Sequence, residues 1–402
     1  MPEVAVRASN GRPTKVVQLA TVHPPFDVRV FDKHCRTLAE AGYDVVYITA
    51  HDRTESRHGV TVKGVPRASR RRDRLTRVLP RVIRAAFREH GDVYHFHDIE
   101  LILAGCLLKL CGKKVIYDVH ENYPADIFRE KPYLPRSIRH ALAGAVAGAE
   151  WLAGHWFDGT VAATGVIGER FPREKTIVVH NYPRIEELQA GVVGPAYRER
   201  TPVALFTGGL TPTRCAPEIC AMSDALRDIA GYQTVVVGRP DTPRYPEALS
   251  STPGWDRVRY EGVVPMTRVR QLLGEARVGL VLNRPRADFI DLATNKLFEY
   301  MAAGLPVVSS DIPFWRKVIE DTQCGIVVDG ADARGLADAV RWLLTHPAEA
   351  EAMGRRGRLA AEERYDWRSE AAPLLALYER VLRRTPRASG IPVHVSENSR
   401  GL

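Results

Sequence analysis

The feature that most limits how this chain can fold is an alternation of short apolar runs with helical segments, present twice. In the first half, VVQLAT (16–21), DVVYITA (44–50), DVYHFH (92–97) and KVIYDVH (114–120) have the length and β-branched content of buried strands. Helical patterns cover 29–41, stopping at Gly42, and 99–111. The rhythm restarts with VALFTGG (203–209), QTVVVG (233–238), VRYEG (258–262), VGLVLN (278–283), LPVVSS (305–310) and GIVVD (325–329). Helices are expected between these runs, at 216–229, 266–276, 294–303 and 332–344. Parallel strands need long crossovers, so this pattern implies an α/β chain of two doubly wound, Rossmann-like domains. A length of 402 residues suits two cores.

Residues 1–14 read as a loose leader, 15–188 as the first domain and 189–367 as the second. The break falls in 183–201, where no period is strong. An amphipathic helix is expected over 368–384, and 385–402 is a polar tail. The leader has no long apolar core, and no run of ~20 apolar residues occurs, so neither a secretory signal nor a spanning helix is expected. That fits a cytoplasmic protein, with peripheral membrane contact and the choice between monomer and homodimer left open.

Lys plus Arg is 57 and Asp plus Glu is 48, a formal charge of +9 that favours anionic partners. Arg70, Arg74, Arg77, Arg81, Arg84 and Arg88 repeat at helical spacing beside an apolar stripe. Pro80 either opens a second helix or kinks one long helix. A solvated face explains the stripe most simply; an anionic acceptor or a membrane is the alternative. Nucleic acid has little support, because no stacking platform or fingerprint accompanies it. The six cysteines form no Cys-x-x-Cys pair and read as buried free thiols in a reducing setting, with no metal site.

In LFTGGLTPTR (205–214), a strand ends in Gly208–Gly209 and Arg214 stands near the next helix start. Glycines there allow a tight turn and close approach of a ligand. Helix N–H groups with a guanidinium can hold a diphosphate. A plain turn is the competing reading. No G-x-G-x-x-G follows the strand and no Walker A sequence exists. In DLATNKLFEYMAAGLPVVSSD (291–311), Asp291 and Glu299 are eight positions apart and Lys296 lies one turn before Glu299. Gly304 and Pro306 end that helix. Glu299 could bind sugar hydroxyls and Lys296 could neutralise a diphosphate, unless the two are simply a surface ion pair.

This block resembles the retaining nucleotide-sugar glycosyltransferases of family 4, which have the GT-B fold. Their pattern is an acidic residue, seven residues, then Glu, within a K-x-x-E-Y/A-M-A-x-G-x-P-V-V segment. The resemblance extends over 16–383 and includes HFHD (95–98), YDVHENYP (117–124), HNYP (180–183), FTGGLTPTR (206–214) and YEGVVP (260–265). It implies two domains facing across a cleft, the first holding a small-molecule, glycan or lipid-linked acceptor, as in bacterial secondary-metabolite or cell-envelope glycan synthesis, and the second a nucleoside diphosphate sugar, UDP by default and GDP as the alternative. The closing helix crosses back to the first domain.

The resemblance also implies roles. Arg214 and Lys296 would clamp the diphosphate over Gly208 and Gly209. Glu299 would bind the donor ribose or a neighbouring hydroxyl, and Asp291 would face the sugar. Val263 or Val264 would lie near the base. His120 matches the first-domain histidine near the transferred sugar. His97 and Asp98 would shape the acceptor side, where Asp27 or Arg29 would also reach. His95 alternates with His97 and is expected to point the other way.

Breaking a sugar–phosphate bond places negative charge on the diphosphate, which two cations can stabilise without a metal. No Asp-x-Asp metal motif follows a strand. Metal-independent transfer with no cofactor is therefore expected, with front-face retention as the resemblance implies. Three departures stand out. The loop after the first strand, residues 21–29, lacks the Gly-rich run of many relatives. Asp291 replaces the commoner Glu. Cys215 follows Arg214 where Gly is common. A non-catalytic sugar-nucleotide-binding protein of this fold is the alternative reading.

Overall fold

The computed structural model describes residues 11–67, 71–284 and 294–383. The chain divides into two compact units. The first comprises 1–161, 171–176 and 374–402, and the second 162–170 and 177–373. The expected boundary at 188/189 thus lies a short segment after the exchange at 176/177, and the chain returns to the first unit at 373/374.

The first sheet contains β1 (Lys15–Leu19), β2 (Asp44–Ala50), β3 (Glu55–Arg57), β4 (Val60–Val65), β5 (Val93–Phe96), β6 (Lys114–Val119), β7 (Gly159–Ala162) and β8 (Thr176–Val178). Their order is β3-β4-β2-β1-β5-β6-β7-β8. β1 pairs in parallel with β2 and β5, and β5 with β6. Only the β3–β4 ladder is antiparallel among the pairings described. This hairpin falls between the apolar runs 44–50 and 92–97, where the sequence pattern assigns no strand. Reversal of strand order at β1 makes a switch point between β1 and β5, where ligands collect beyond the strand C-termini.

The second sheet is wholly parallel. It orders β9 (Val203–Thr207), β10 (Gln233–Val237), β11 (Val258–Gly262), β12 (Val278–Val281), β13 (Val307–Ser310) and β14 (Gly325–Val328) as β11-β10-β9-β12-β13-β14. Its switch point lies between β9 and β12. Successive side chains point to opposite faces of a strand. Accordingly Leu205, Val235 and Val237 join one core cluster, while Ala204, Phe206 and Val236 join another. Burial on both faces is why these strands read as continuous apolar runs.

The basic segment is Arg71–Asp73, a π-wound Arg74–Val78 and an α-helix Leu79–Arg88, with Pro80 in the first turn of the last piece. Asp73, Val78 and Leu79 all keep right-handed helical dihedrals, so the winding runs on into Pro80; of the two sequence alternatives the structure has one long helix, π-wound before the proline. Arg77, Arg81, Arg84 and Arg88 are exposed, a solvated face; Arg70 lies outside the described residues. Four cysteines are buried, but Cys106 is only partly so and Cys111, at a helix C-terminus, is exposed, which corrects the expectation for that thiol. No described helix is long and apolar enough to cross a membrane.

Candidate functional site

Each unit carries a cavity beyond its strand C-termini. In the second unit, a cavity of about 480 Å3 is lined by Thr207, Arg214, Lys296 and Glu299, with Asn283, Met266 and Val269 among the other walls. β9 delivers Thr207 and turns at Gly208. Helix Asn295–Ala302 delivers Lys296 and Glu299 from one side, because they are three residues apart. That helix is fastened to the end of β9 by Tyr300, whose hydroxyl accepts from Thr207 N at 2.7 Å.

Gly208 explains the glycine there. A Cβ at this position would lie 2.8 Å from Arg214 Nη1 and 3.0 Å from Lys296 Nζ. Both cations therefore close over one point of bare backbone. Lys296 is buried, with Nζ 4.4 Å from the centroid of the Phe206 ring. No carboxylate among the described residues makes an ion pair with it. Burial, helped by the charge of Arg214 and opposed by Glu299, pulls its pKa from 10.5 down to about 7. Burial also lowers the Arg214 pKa. Two partly desolvated cations over a backbone turn form a receptor for a dense anion such as a diphosphate.

Several expectations are adjusted here. Val263 is 73% exposed, and Val264 packs against the core; Met266 and Val269 line the cavity instead. Asp291 lies outside the described residues. Cys215 has φ 61°, the left-handed conformation that glycine adopts freely, so its place at the helix start strains a side-chain-bearing residue. Gly209 would accept a Cβ with only moderate crowding, 3.3 Å from the Arg239 carbonyl.

In the first unit, a cavity of about 350 Å3 is lined by His23, Asp98, His120, Arg74 and Glu100, with an apolar wall that includes Ile127, Leu142 and Val146. Arg74 pairs with Glu100 at 2.7 Å. Asp98 accepts from the backbone N–H groups of Thr21 and Val22, pinning the loop after β1 to the end of β5. Asp27 caps the next helix, Val28–Cys35, by accepting from Arg29 N and Val30 N. Burial would raise the Asp27 pKa, but His23 and these N–H groups hold it down at about 2.

Arg29 and His97 do not face that cavity. Arg29 is buried and donates from Nε and Nη2 to the two oxygens of Asp118, at 2.9 and 2.7 Å. His97 Nδ1 lies 2.8 Å from Asp118 Oδ2, and its Nε2 lies 2.7 Å from Gln18 Oε1. Burial disfavours the Asp118 carboxylate, but Arg29, His120 and His97 drive its pKa well below the usual range. His95 also corrects the sequence reading. Positions two apart on a strand share a face, and the His95 and His97 rings stack at 4.7 Å.

His34, His95, His97 and Asp118 are buried with their ligating atoms within 4.8 Å of one another. Their bonding does not suit a metal ion. Both Asp118 oxygens already accept from Arg29, whose guanidinium would face the cation, and both His97 nitrogens have polar partners. Burial lowers the pKa values of His34 and His95, which favours the neutral form of these two imidazoles.

Residues 28–181 match the model of Glycosyltransferase Family 4, and 214–376 match a model described as Glycosyl transferase-like. This is a GT-B fold chain with family 4 glycosyltransferase homology. The chain is 28% identical over 209 residues to a phosphatidyl-myo-inositol mannosyltransferase of Mycobacterium leprae, covering 51% of this chain and 54% of that one. It is 30% identical over 208 residues to a D-inositol 3-phosphate glycosyltransferase of Xylanimonas cellulosilytica, covering 48% and 46%. The chain thus spans about half the length of these curated relatives. Among solved structures, sucrose-phosphate synthase from Thermosynechococcus elongatus superposes with TM-score 0.71 at 16% identity, covering 92% of this chain and 99% of that one. WaaG, a glycosyltransferase involved in lipopolysaccharide biosynthesis, gives 0.68 at 19% identity, covering 90% and 99%. These likenesses establish the fold.

His23 was not singled out by sequence reasoning. The signal available was the histidine in a Pro-stiffened loop directly after β1, at the first unit's switch point.

Proposed function

We propose that this family 4 homologue transfers a sugar from a nucleoside diphosphate sugar to an acceptor hydroxyl in bacterial glycan synthesis. The observation that carries the reading is the closure of Arg214 and Lys296 over Gly208 in the second unit's cavity. The diphosphate would take the two cations, and Glu299 would accept from hydroxyls of the donor. As the sugar–phosphate bond breaks, charge grows on the leaving diphosphate and both cations gain most in the transition state. The donor of choice is a UDP-sugar, with GDP-sugars as the second set to be tried. His120 and Asp98, in the first unit's cavity, would orient the acceptor.

Calorimetry with UDP- and GDP-sugars on the purified chain tests the reading. One donor is expected to bind, and to be transferred or slowly hydrolysed. Lys296→Met and Arg214→Met are each expected to weaken binding at least ~10-fold, since charge-assisted bonds are worth ~1.5–3 kcal/mol. Absence of binding by every donor would overturn it.

A further inference from the structure

The helix Arg136–Trp156 turns an uncharged face to solvent. Leu142 and Val146, one turn apart, line the first unit's cavity, and Ala143, Glu150 and Ala153 are buried. Ala141, Gly144, Gly148, Trp151 and Leu152 lie on the opposite side and are exposed. Trp151 is 60% exposed, a large apolar group left in water. A Cβ built at Gly144 or Gly148 would meet no described atom within 4 Å, so no described residue overlies the helix there. The helix Ile102–Leu110 packs against it and adds Leu103, Leu107 and Leu110, all exposed at helical spacing. Contiguous apolar surface of this kind marks a docking face.

The charges decide what docks. Between Lys131 and Trp156 the sequence has one acidic residue, Glu150. It is buried and accepts from the Tyr117 hydroxyl at 3.4 Å. Lys131, Arg136 and Arg139 stand at one end of the helix. At the other end, Lys175 donates to the carbonyls of His155 and Phe157. A second copy packed on this face would find no exposed carboxylate on the helix to meet these cations. A bilayer with anionic headgroups supplies both partners, acyl chains for the leucines and tryptophans and phosphates for the cations. Tryptophan suits that boundary, because its ring is apolar and its N–H is polar.

We propose that the exposed face of the helix Arg136–Trp156, with the leucines of Ile102–Leu110 beside it, docks on an anionic lipid surface. The helix lies along the bilayer, with Trp151 and Leu152 inserted among the upper acyl chains, since its other side is committed to the protein interior. At 21 residues it spans ~30 Å of that surface. Docking goes beyond the transferase reading and does not need it. The cavity wall of Leu142 and Val146 belongs to the docked helix, which suits an acceptor presented at the lipid surface; that step alone rests on the transferase reading.

The test is flotation of the purified full chain with vesicles of phosphatidylcholine alone and of phosphatidylcholine mixed in equal parts with phosphatidylglycerol. UDP binding is measured by calorimetry on the same samples. Wild type is expected to float with the anionic vesicles, less so as salt rises, and its tryptophan emission to be quenched by brominated acyl chains. The double variant Trp151→Glu/Leu152→Glu is expected to bind those vesicles at least ~10-fold more weakly, with its melting temperature and UDP binding unchanged, because both side chains are exposed. Arg81→Gln/Arg84→Gln, on the basic helix, is expected to keep most of the binding. No flotation with anionic vesicles, or flotation lost with the arginines and kept in the double variant, would overturn the proposal. So would a lipid-free dimer in analytical ultracentrifugation that the double variant abolishes, which would assign the face to a second copy. Flotation without UDP binding would retain the surface and remove the transferase reading; UDP binding without flotation would do the reverse.

Discussion

The hydroxyl of Tyr378 lies 2.7 Å from Nδ1 of His95, and also accepts from Gln18 Nε2 at 2.9 Å. The closing helix, Trp367–Arg383, thereby satisfies polar groups of β1 and β5 that are otherwise sealed from water. Tyr378→Phe removes the shared partner while keeping the ring. It is expected to cost ~1–3 kcal/mol, the penalty for stranding buried polar groups. Chemical denaturation should show a lower midpoint with an unchanged slope.

Asp118 offers a stronger case. It is fully buried and holds Arg29 through both oxygens. Asp118→Asn leaves the guanidinium buried without its counter-charge, which costs ~3–5 kcal/mol. The sign with pH also follows. The Asp118 pKa is depressed on folding, so its stabilisation is present above the ordinary carboxylate range and is lost as pH falls through the folded value. Acid-unfolding curves of wild type should be steeper than those of the variant.

The order of elements was legible because strands buried on both faces must be apolar throughout, as in residues 203–207 and 233–237. The β3–β4 hairpin was not, because Glu55–Arg57 is a polar edge strand with little to bury. The long helix Arg136–Trp156 also escaped notice; its Ala- and Gly-rich face carries almost no period. Gly208, Arg214, Lys296 and Glu299 were readable from spacing and resemblance, and one cavity now collects all but the glycine among its walls. Arg29 and His97 were misassigned because a charged residue in sequence says nothing of its partner. Asp118 claims both, across 89 and 21 residues.

Gly208 and Gly238 should separate function from folding. A Cβ at Gly208 would meet some backbone strain, at φ +157°, but would press only on the tips of two flexible side chains, Arg214 and Lys296, which can move aside. Gly208→Ala is expected to fold but to bind UDP at least ~10-fold more weakly, a loss of ~1.4 kcal/mol. A Cβ at Gly238 would lie 2.0 Å from the Gly208 carbonyl oxygen, a backbone atom, and its φ is +149°. Gly238→Ala is therefore expected to lower the melting temperature first. Calorimetry and thermal unfolding of both variants check the contrast.

Lys296 links donor binding to protons. With a pKa of about 7, it is about half neutral at pH 7 in the empty site. A bound diphosphate would favour the ammonium form and raise that value, so binding must take up a proton. At pH 8 the uptake is expected to approach one proton per UDP, measurable as the dependence of binding heat on the ionisation enthalpy of the buffer. Affinity should fall as pH rises above 7, until the pKa of the complex is passed. The stability of the empty chain is expected to follow the opposite trend. Its folded pKa is below the unfolded 10.5, so the unfolded state binds more protons between about 7 and 10.5, and this residue's contribution to stability improves as pH rises through that window. Lys296→Met should abolish the uptake and flatten the stability trend together. Uptake that persists in the variant would assign the proton to another group.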